Sequence, residues 1–309
     1  MPRNSTASDR ADVYIRITTE IVAAIEAGAG NWSMPWHHNG SALARPVNIS
    51  SGKRYRGINS LALWIAAAKA GYSDGAWGTY RQFQAAGAQV RKGERVTTVV
   101  LWKEIKSPTD IGDHDDGGDD SGHRPQIFAR AFSVFNRAQV DGFAPASEIG
   151  LADSDRIGQA DAFFEALQIP VVFGSYDAHY RIAEDRIYMP PFRTFVDAVA
   201  YVGTLMHEAA HASGARSRLD RNFAERFGRD SLAIEEIVAE LTASYVLADL
   251  GIAHHPRADH AAYVASWLTI LKNQPRAIFT AAGKAQQAAD WMHACQPRPQ
   301  AADLHCRHP

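Results

Sequence analysis

Cysteine is nearly absent: the 309-residue chain has only Cys295 and Cys306, both close to its end. A disulfide framework is therefore excluded as the means of holding the fold together. No apolar run reaches the roughly 20 residues that a bilayer-spanning helix needs, and Met1-Pro2-Arg3-Asn4-Ser5 lacks the apolar region of a secretory signal. Both absences point to a cytoplasmic protein with no membrane partner. The apolar fraction, 46%, is ordinary for a globular chain, and the length exceeds the usual size of one core, so two domains are expected.

A near-zero net charge, formally −2, hides an asymmetry. Through residue 106 there are 14 Lys and Arg against 7 Asp and Glu, so the first part of the chain is basic although the whole is not. Trp32, Trp36, Tyr55, Trp77, Tyr80, Phe83 and Trp102 are interleaved with these cations. Cations that follow a phosphate backbone, together with flat rings that accept unstacked bases, are what single-stranded nucleic acid requires. Candidate DNA contacts are Trp36, Lys53, Arg54, Tyr55, Arg56, Arg81, Arg91 and Lys92. Trp64, inside the apolar run Leu61–Ala66, is assigned to the core instead.

The most specific motif is His207-Glu208-Ala209-Ala210-His211. Two imidazoles four residues apart share one helix face and can close on one metal ion, while Glu208 is placed to take a proton from a water that the ion activates. That pattern predicts a zinc-dependent hydrolase, although manganese or another divalent ion fits the same ligands. Val196, Val199, Ala200, Val202, Leu205 and Met206 precede the motif at near-helical spacing and put it in a half-buried helix. A catalytic zinc needs a third protein ligand. Gly214 falls in register with the extended pattern His-Glu-x-x-His-x-x-Gly-x-x-His, but Ser217 stands where its last histidine belongs. A later helix offers Glu236 as third ligand and Glu240, one turn on, as the group that receives the far ring N–H of His207. Glu235 is the rival to Glu236, since neighbouring helix positions cannot be separated from the sequence.

Periodicity predicts helices over about 12–27, 59–70, 80–86, 155–167, 233–250, 259–271 and 275–293, and strands over 95–105, 126–136, 171–173, 180–182 and 186–189. The architecture is α+β with two domains. Residues 1–140 form a nucleic-acid-binding domain of helices and antiparallel strands, 141–153 a linker, 154–294 a metallopeptidase domain and 295–309 a flexible tail. An acidic segment over about 107–124, carrying Asp110, Asp113, Asp115, Asp116, Asp119 and Asp120, reads as a disordered loop that competes with DNA for the basic face. Ile187-Tyr188-Met189, before Pro190-Pro191, reads as an exposed sheet edge to which a substrate strand adds.

Long segments resemble the plasmid antirestriction proteins of the ArdC type. Tyr201–His211, Glu235–Tyr245, Ala261–Leu268 and Ala277–Ala289 are similar to the zincin-like metallopeptidase half of that family. Asp12–Tyr14, Ile21–Gly28, Trp32–Trp36, Ser51–Asn59, Val90–Glu94 and Val134–Asn136 are similar to its N-terminal single-stranded-DNA-binding domain. The resemblance implies a gluzincin-like site of His207, His211 and Glu236, with Tyr263 or His260 donating to the developing oxyanion. It also implies protection of incoming plasmid DNA, with a restriction enzyme or another DNA-bound protein as substrate. The alternative is a protein that shields single strands without proteolysis and carries a structural metal.

Overall fold

The computed structural model describes residues 7–28, 34, 36–37, 45–105, 126–143, 153–254 and 261–297. The acidic segment 107–124, most of the expected linker and tail, Trp32 and His260 lie outside the described residues. The chain forms two compact units. They differ from the contiguous division expected above at two places: 268–279 belongs with the first unit, and His37 belongs with the second.

In the first unit, α1 (Ala7–Gly28) buries Ile17, Ile21 and Ile25, which recur every fourth residue and so line one face. Short β1 (Val47–Asn48) leads to α2 (Ile58–Ala70). Then follow β2 (Ala76–Gly78), α3 (Tyr80–Ala85), β3 (Gln89–Val90), β4 (Thr97–Ile105), β5 (Gln126–Asn136) and β6 (Val140–Asp141). A four-stranded sheet runs β1-β2-β5-β4, with β4 and β5 paired antiparallel from Thr97↔Val134 to Ile105↔Gln126. Its core packs Leu63, Trp77, Val99 and Val134 together. Asn59 locks α2 to β4: its amide donates to the Val100 carbonyl at 2.7 Å and its oxygen accepts the Val100 N–H at 2.7 Å. Helix α3 starts on a reciprocal cap, with Thr79 accepting from Gln82 N–H and the Gln82 side chain accepting from Thr79 N–H.

The second unit contains α4 (Asp153–Glu165), β7 (Val171–Phe173), β8 (His179–Arg181), β9 (Arg186–Met189), α5 (Ala198–Ser213), α6 (Ala224–Phe227) and α7 (Ser231–Asp249). Helices α8 (Ala261–Asn273) and α9 (Ala277–Ala294) contribute their residues up to Trp267 and from Thr280. The three strands are ordered β7-β9-β8. This corrects the expected edge: Ile187-Tyr188-Met189 is the central strand, with Ile187 and Met189 fully buried, and the edges are β7 and β8. Helix α7 is buried on nearly all sides from Ile234 to Ala248, so its glutamates sit in the interior rather than on a wetted face. Among the described residues, no helix is long and apolar enough to cross a membrane.

Candidate metal centre

Helix α5 opens at Asp197, whose carboxylate accepts the Ala200 N–H at 2.7 Å. Val202, Leu205, Met206, Ala209 and Ala210 are buried around the motif, which turns the polar side of the helix toward α7. One helical turn separates His207 from His211, and their Nε2 atoms stand 3.2 Å apart. From α7, Glu236 brings Oε2 to 3.4 Å from His207 Nε2 and Oε1 to 3.6 Å from His211 Nε2.

Those separations can be tested against a metal. Ligand bonds of about 2.0–2.2 Å in tetrahedral array put neighbouring ligand atoms about 3.3–3.6 Å apart. The three distances fit, and the donor set of two imidazoles and a carboxylate is one that zinc and manganese both accept.

The remaining glutamates of α7 take the other ring nitrogens. Glu240, fully buried, lies with Oε2 3.3 Å from His207 Nδ1. Glu235 lies with Oε1 3.3 Å from His211 Nδ1. Three acids on one helix thus have separate partners: Glu236 faces both Nε2 atoms, whereas Glu235 lies against Nδ1 of His211. With Nδ1 of each imidazole against a carboxylate of α7, both Nε2 atoms are left facing Glu236.

The sequence reading missed the group that holds Glu235. Arg221, with its side chain 1% exposed, donates from Nη2 to Glu235 Oε1 at 2.5 Å and from Nε to Oε2 at 2.8 Å. Its Nη atoms also donate to the Ala210 carbonyl at 2.8 Å and to Ser213 Oγ at 3.0 Å. Gly214 explains the available space, since a Cβ there would come within 2.8 Å of Arg221 Nη2. The glycine that fell in register with a histidine-rich pattern therefore makes room for an arginine. Burial acts to raise the Glu235 carboxyl, but the hydrogen bonds from Arg221 and His211 outweigh it and hold the group below its usual range. For His211, burial acts to lower the imidazole, yet the bond to Glu235 and the charges of Glu208, Glu236 and Glu235 hold it above its usual range. Glu208 itself is 3% exposed. So many buried carboxylates in one place call for cationic charge.

Tyr263 is half-buried on α8, with its ring stacked on Trp267. In the first unit, the expected stacking residue Trp36 is fully buried, as are Trp77 and Phe83. This is a correction: a ring without exposed surface packs the core and cannot receive a base. Trp64 is in the core as expected, at 4%. Tyr55 is half-buried, and its hydroxyl accepts from Asn48 Nδ2 at 3.1 Å. Lys53, Arg54, Arg56, Arg81 and Lys92 are exposed. Arg91 is exposed too, but it is tied to Glu94 at 2.9 Å, Asp141 at 3.3 Å and the Ala138 carbonyl at 2.5 Å. Beside it, an open groove of about 530 Å³ is lined by Tyr80, Lys92, Phe135, Glu94 and Asp141. Among the described aromatics of the basic part, Tyr80 and Trp102 keep large exposed surface.

The second unit is zincin-like: residues 158–284 match the family described as zincin-like metallopeptidase. Residues 11–135 match the N-terminal domain of anti-restriction factor ArdC. The crystal structure of the antirestriction protein ArdC from plasmid R388, metal-free, superposes with a TM-score of 0.75 at 38% identity over 92% of this chain and 97% of that one. Its Mn(II)-bound form gives 0.72. Protein y4eC of Sinorhizobium fredii is 50% identical over 298 residues, 96% of each chain. Two DNA primases TraC of Escherichia coli are 33% and 35% identical, and the chain spans 20% and 27% of their lengths. The chain belongs to the ArdC family of antirestriction proteins.

Proposed function

We propose that this protein is a metal-dependent peptidase joined to a module for single-stranded DNA, and that it protects incoming plasmid DNA in the cytoplasm by cleaving a restriction enzyme or another protein bound there. The observation that carries the reading is the convergence of His207, His211 and Glu236 at tetrahedral spacing, with Glu208 buried beside them. His207, His211 and Glu236 would hold the ion, zinc or the manganese present in the R388 relative. When bound, such an ion supplies Lewis acidity, polarising a peptide carbonyl and lowering the pKa of water.

The chain's own residues then divide the proton work. Glu208 accepts a proton from the attacking water and returns it to the leaving amine. Glu240 and Glu235 hold the two rings by their Nδ1–H groups and keep the Nε2 atoms aimed inward. Tyr263 donates to the oxygen on which charge develops. For DNA, the exposed Lys53, Arg54, Arg56, Arg81 and Lys92 meet the backbone, and Tyr80 and Trp102 offer ring faces to bases.

Glu208→Ala tests the reading because it removes the base and leaves all three ligands. Metal content should stay at the wild-type level while peptide cleavage and plasmid protection are both lost. Protection surviving in full would replace the proposal with shielding by DNA binding alone.

A further inference from the structure

Glu240 is gripped from a second side. His37, which lies within the residues matched by the N-terminal family, belongs to the compact unit that contains α5 and α7. Its ring is 2% exposed at the side chain, and its Nε2 stands 2.7 Å from Glu240 Oε1, with Glu240 at 0%. His254 adds Nε2 at 3.6 Å from the same oxygen, and the His37 and His254 rings meet edge to face at 4.8 Å. Ser244, one turn after Glu240, donates its hydroxyl to the Glu240 carbonyl at 2.9 Å and receives the His254 Nδ1–H at 2.8 Å.

His37, Glu240 and His254 resemble a second metal cluster, but the spacing argues otherwise. A separation of 2.7 Å is that of a charge-assisted N–H···O bond. It is well short of the roughly 3.3–3.6 Å between neighbouring ligands of one tetrahedral ion. Oε1 of Glu240 is thus committed to His37, and Oε2, 3.3 Å from His207 Nδ1, to the candidate ligand.

We infer that His37 is a positioning residue for the metal centre: its Nε2–H fixes the Glu240 carboxylate, which in turn fixes the ring of His207. The inference rests on the metal reading above and extends it to a residue 170 positions before the motif. A carboxylate has freedom to turn about its terminal torsion, which hydrogen bonds at its oxygens restrict. The bond to His37 removes that freedom and leaves Oε2 directed at His207. The consequence is specific: the donor on His37 matters for how tightly the ion is held, not the ring that carries it.

Full-length wild type, His37→Phe and His37→Gln, each stripped of metal and reloaded with Zn2+, test this by competition against a chromophoric chelator. Cobalt absorption spectra of the same three proteins serve as a second readout. Phenylalanine keeps the ring and deletes the donor, whereas the glutamine amide can return an N–H to the same oxygen. His37→Phe should bind Zn2+ about 10–100-fold more weakly with a shifted cobalt spectrum, and His37→Gln should stay within about threefold of wild type. If the phenylalanine variant does not fold, His37→Ala takes its place in the comparison. Wild-type affinity in the donor-less variant, or equal loss in the glutamine variant, overturns the role of His37. A wild-type chain that takes up no stoichiometric metal overturns the centre itself, and the role with it.

Discussion

At the scale of single residues, the centre consists of matched pairs: His207 with Glu240, His211 with Glu235, and Glu235 with Arg221. The last pair makes Arg221 as consequential as a ligand. Arg221→Met leaves the partly buried Glu235 carboxylate without its guanidinium, so unfolding by denaturant should show a loss of about 3 kcal/mol, and Zn2+ competition a weaker site. Unchanged stability would mean that the pair is ornamental. Arg221→Lys keeps the charge but not the two-pronged bond, and should recover only part of the loss.

A second pair gives a pH signature. Asp185, in the turn between β8 and β9, accepts from Arg218 Nη1 at 2.6 Å, from Nη2 at 3.1 Å and from the Tyr180 hydroxyl at 2.7 Å. The Arg218 bond holds its carboxyl below the usual range, against a smaller opposing effect of burial. A depressed folded pKa gives stability that is present above the unfolded value, near pH 4, and lost as pH falls through the lower folded value. Because Asp185 is 47% exposed at the side chain, the contribution is about 0.5–1 kcal/mol after screening. Melting of wild type against Asp185→Asn should differ at pH 7 and converge in strong acid. A gap that widens on acidification contradicts the assignment.

Among the elements, α5, α7 and the strand β9 itself were legible in the sequence, but the place of β9 in its sheet was not. The His-Glu-x-x-His spacing and the acids four apart on α7 are local facts, since a helix turns by the same angle wherever it is buried. Which acid faces which nitrogen follows from how α5 packs on α7, and that is not local. Strand order is non-local as well, which is why the segment 187–189 read as an edge and turned out central. Arg221 carried no signal, because its partner lies 14 residues away with α6 between them. Gly214 was noticed for the wrong reason. Gly214→Ala should displace the Arg221 guanidinium and weaken Zn2+ binding, although the backbone at 214, with φ −79°, accepts alanine. Wild-type metal affinity in that variant would show that the arginine has room to spare.

The aromatics of the basic part divide the same way. Interleaving with cations is a compositional pattern and says nothing of depth, so Trp36 and Trp77 read as stacking platforms while the fold uses them as core. Trp36→Ala should therefore cost about 3–5 kcal/mol of stability. Tyr80→Ala should leave stability nearly unchanged, Trp102→Ala should cost less than Trp36→Ala because its half-covered ring meets Tyr14 and Phe279, and each should weaken single-stranded DNA binding by about 1–3 kcal/mol. The reverse pattern would return Trp36 to the surface.

For the whole molecule, two family matches meet in one chain, a zincin-like metallopeptidase domain and the N-terminal domain of anti-restriction factor ArdC. A peptidase attached to a DNA-binding module gains local concentration of any protein on that DNA, without needing a recognition pocket for each one. The proposed peptidase depends on an ion held by two helices, α5 and α7. Elemental analysis of the purified wild type beside Glu236→Ala and Glu235→Ala addresses it most directly. One divalent ion per chain in the wild type, none with Glu236→Ala and a retained but weaker site with Glu235→Ala is the result expected. Stoichiometric metal persisting in Glu236→Ala, or absent from the wild type, contradicts it.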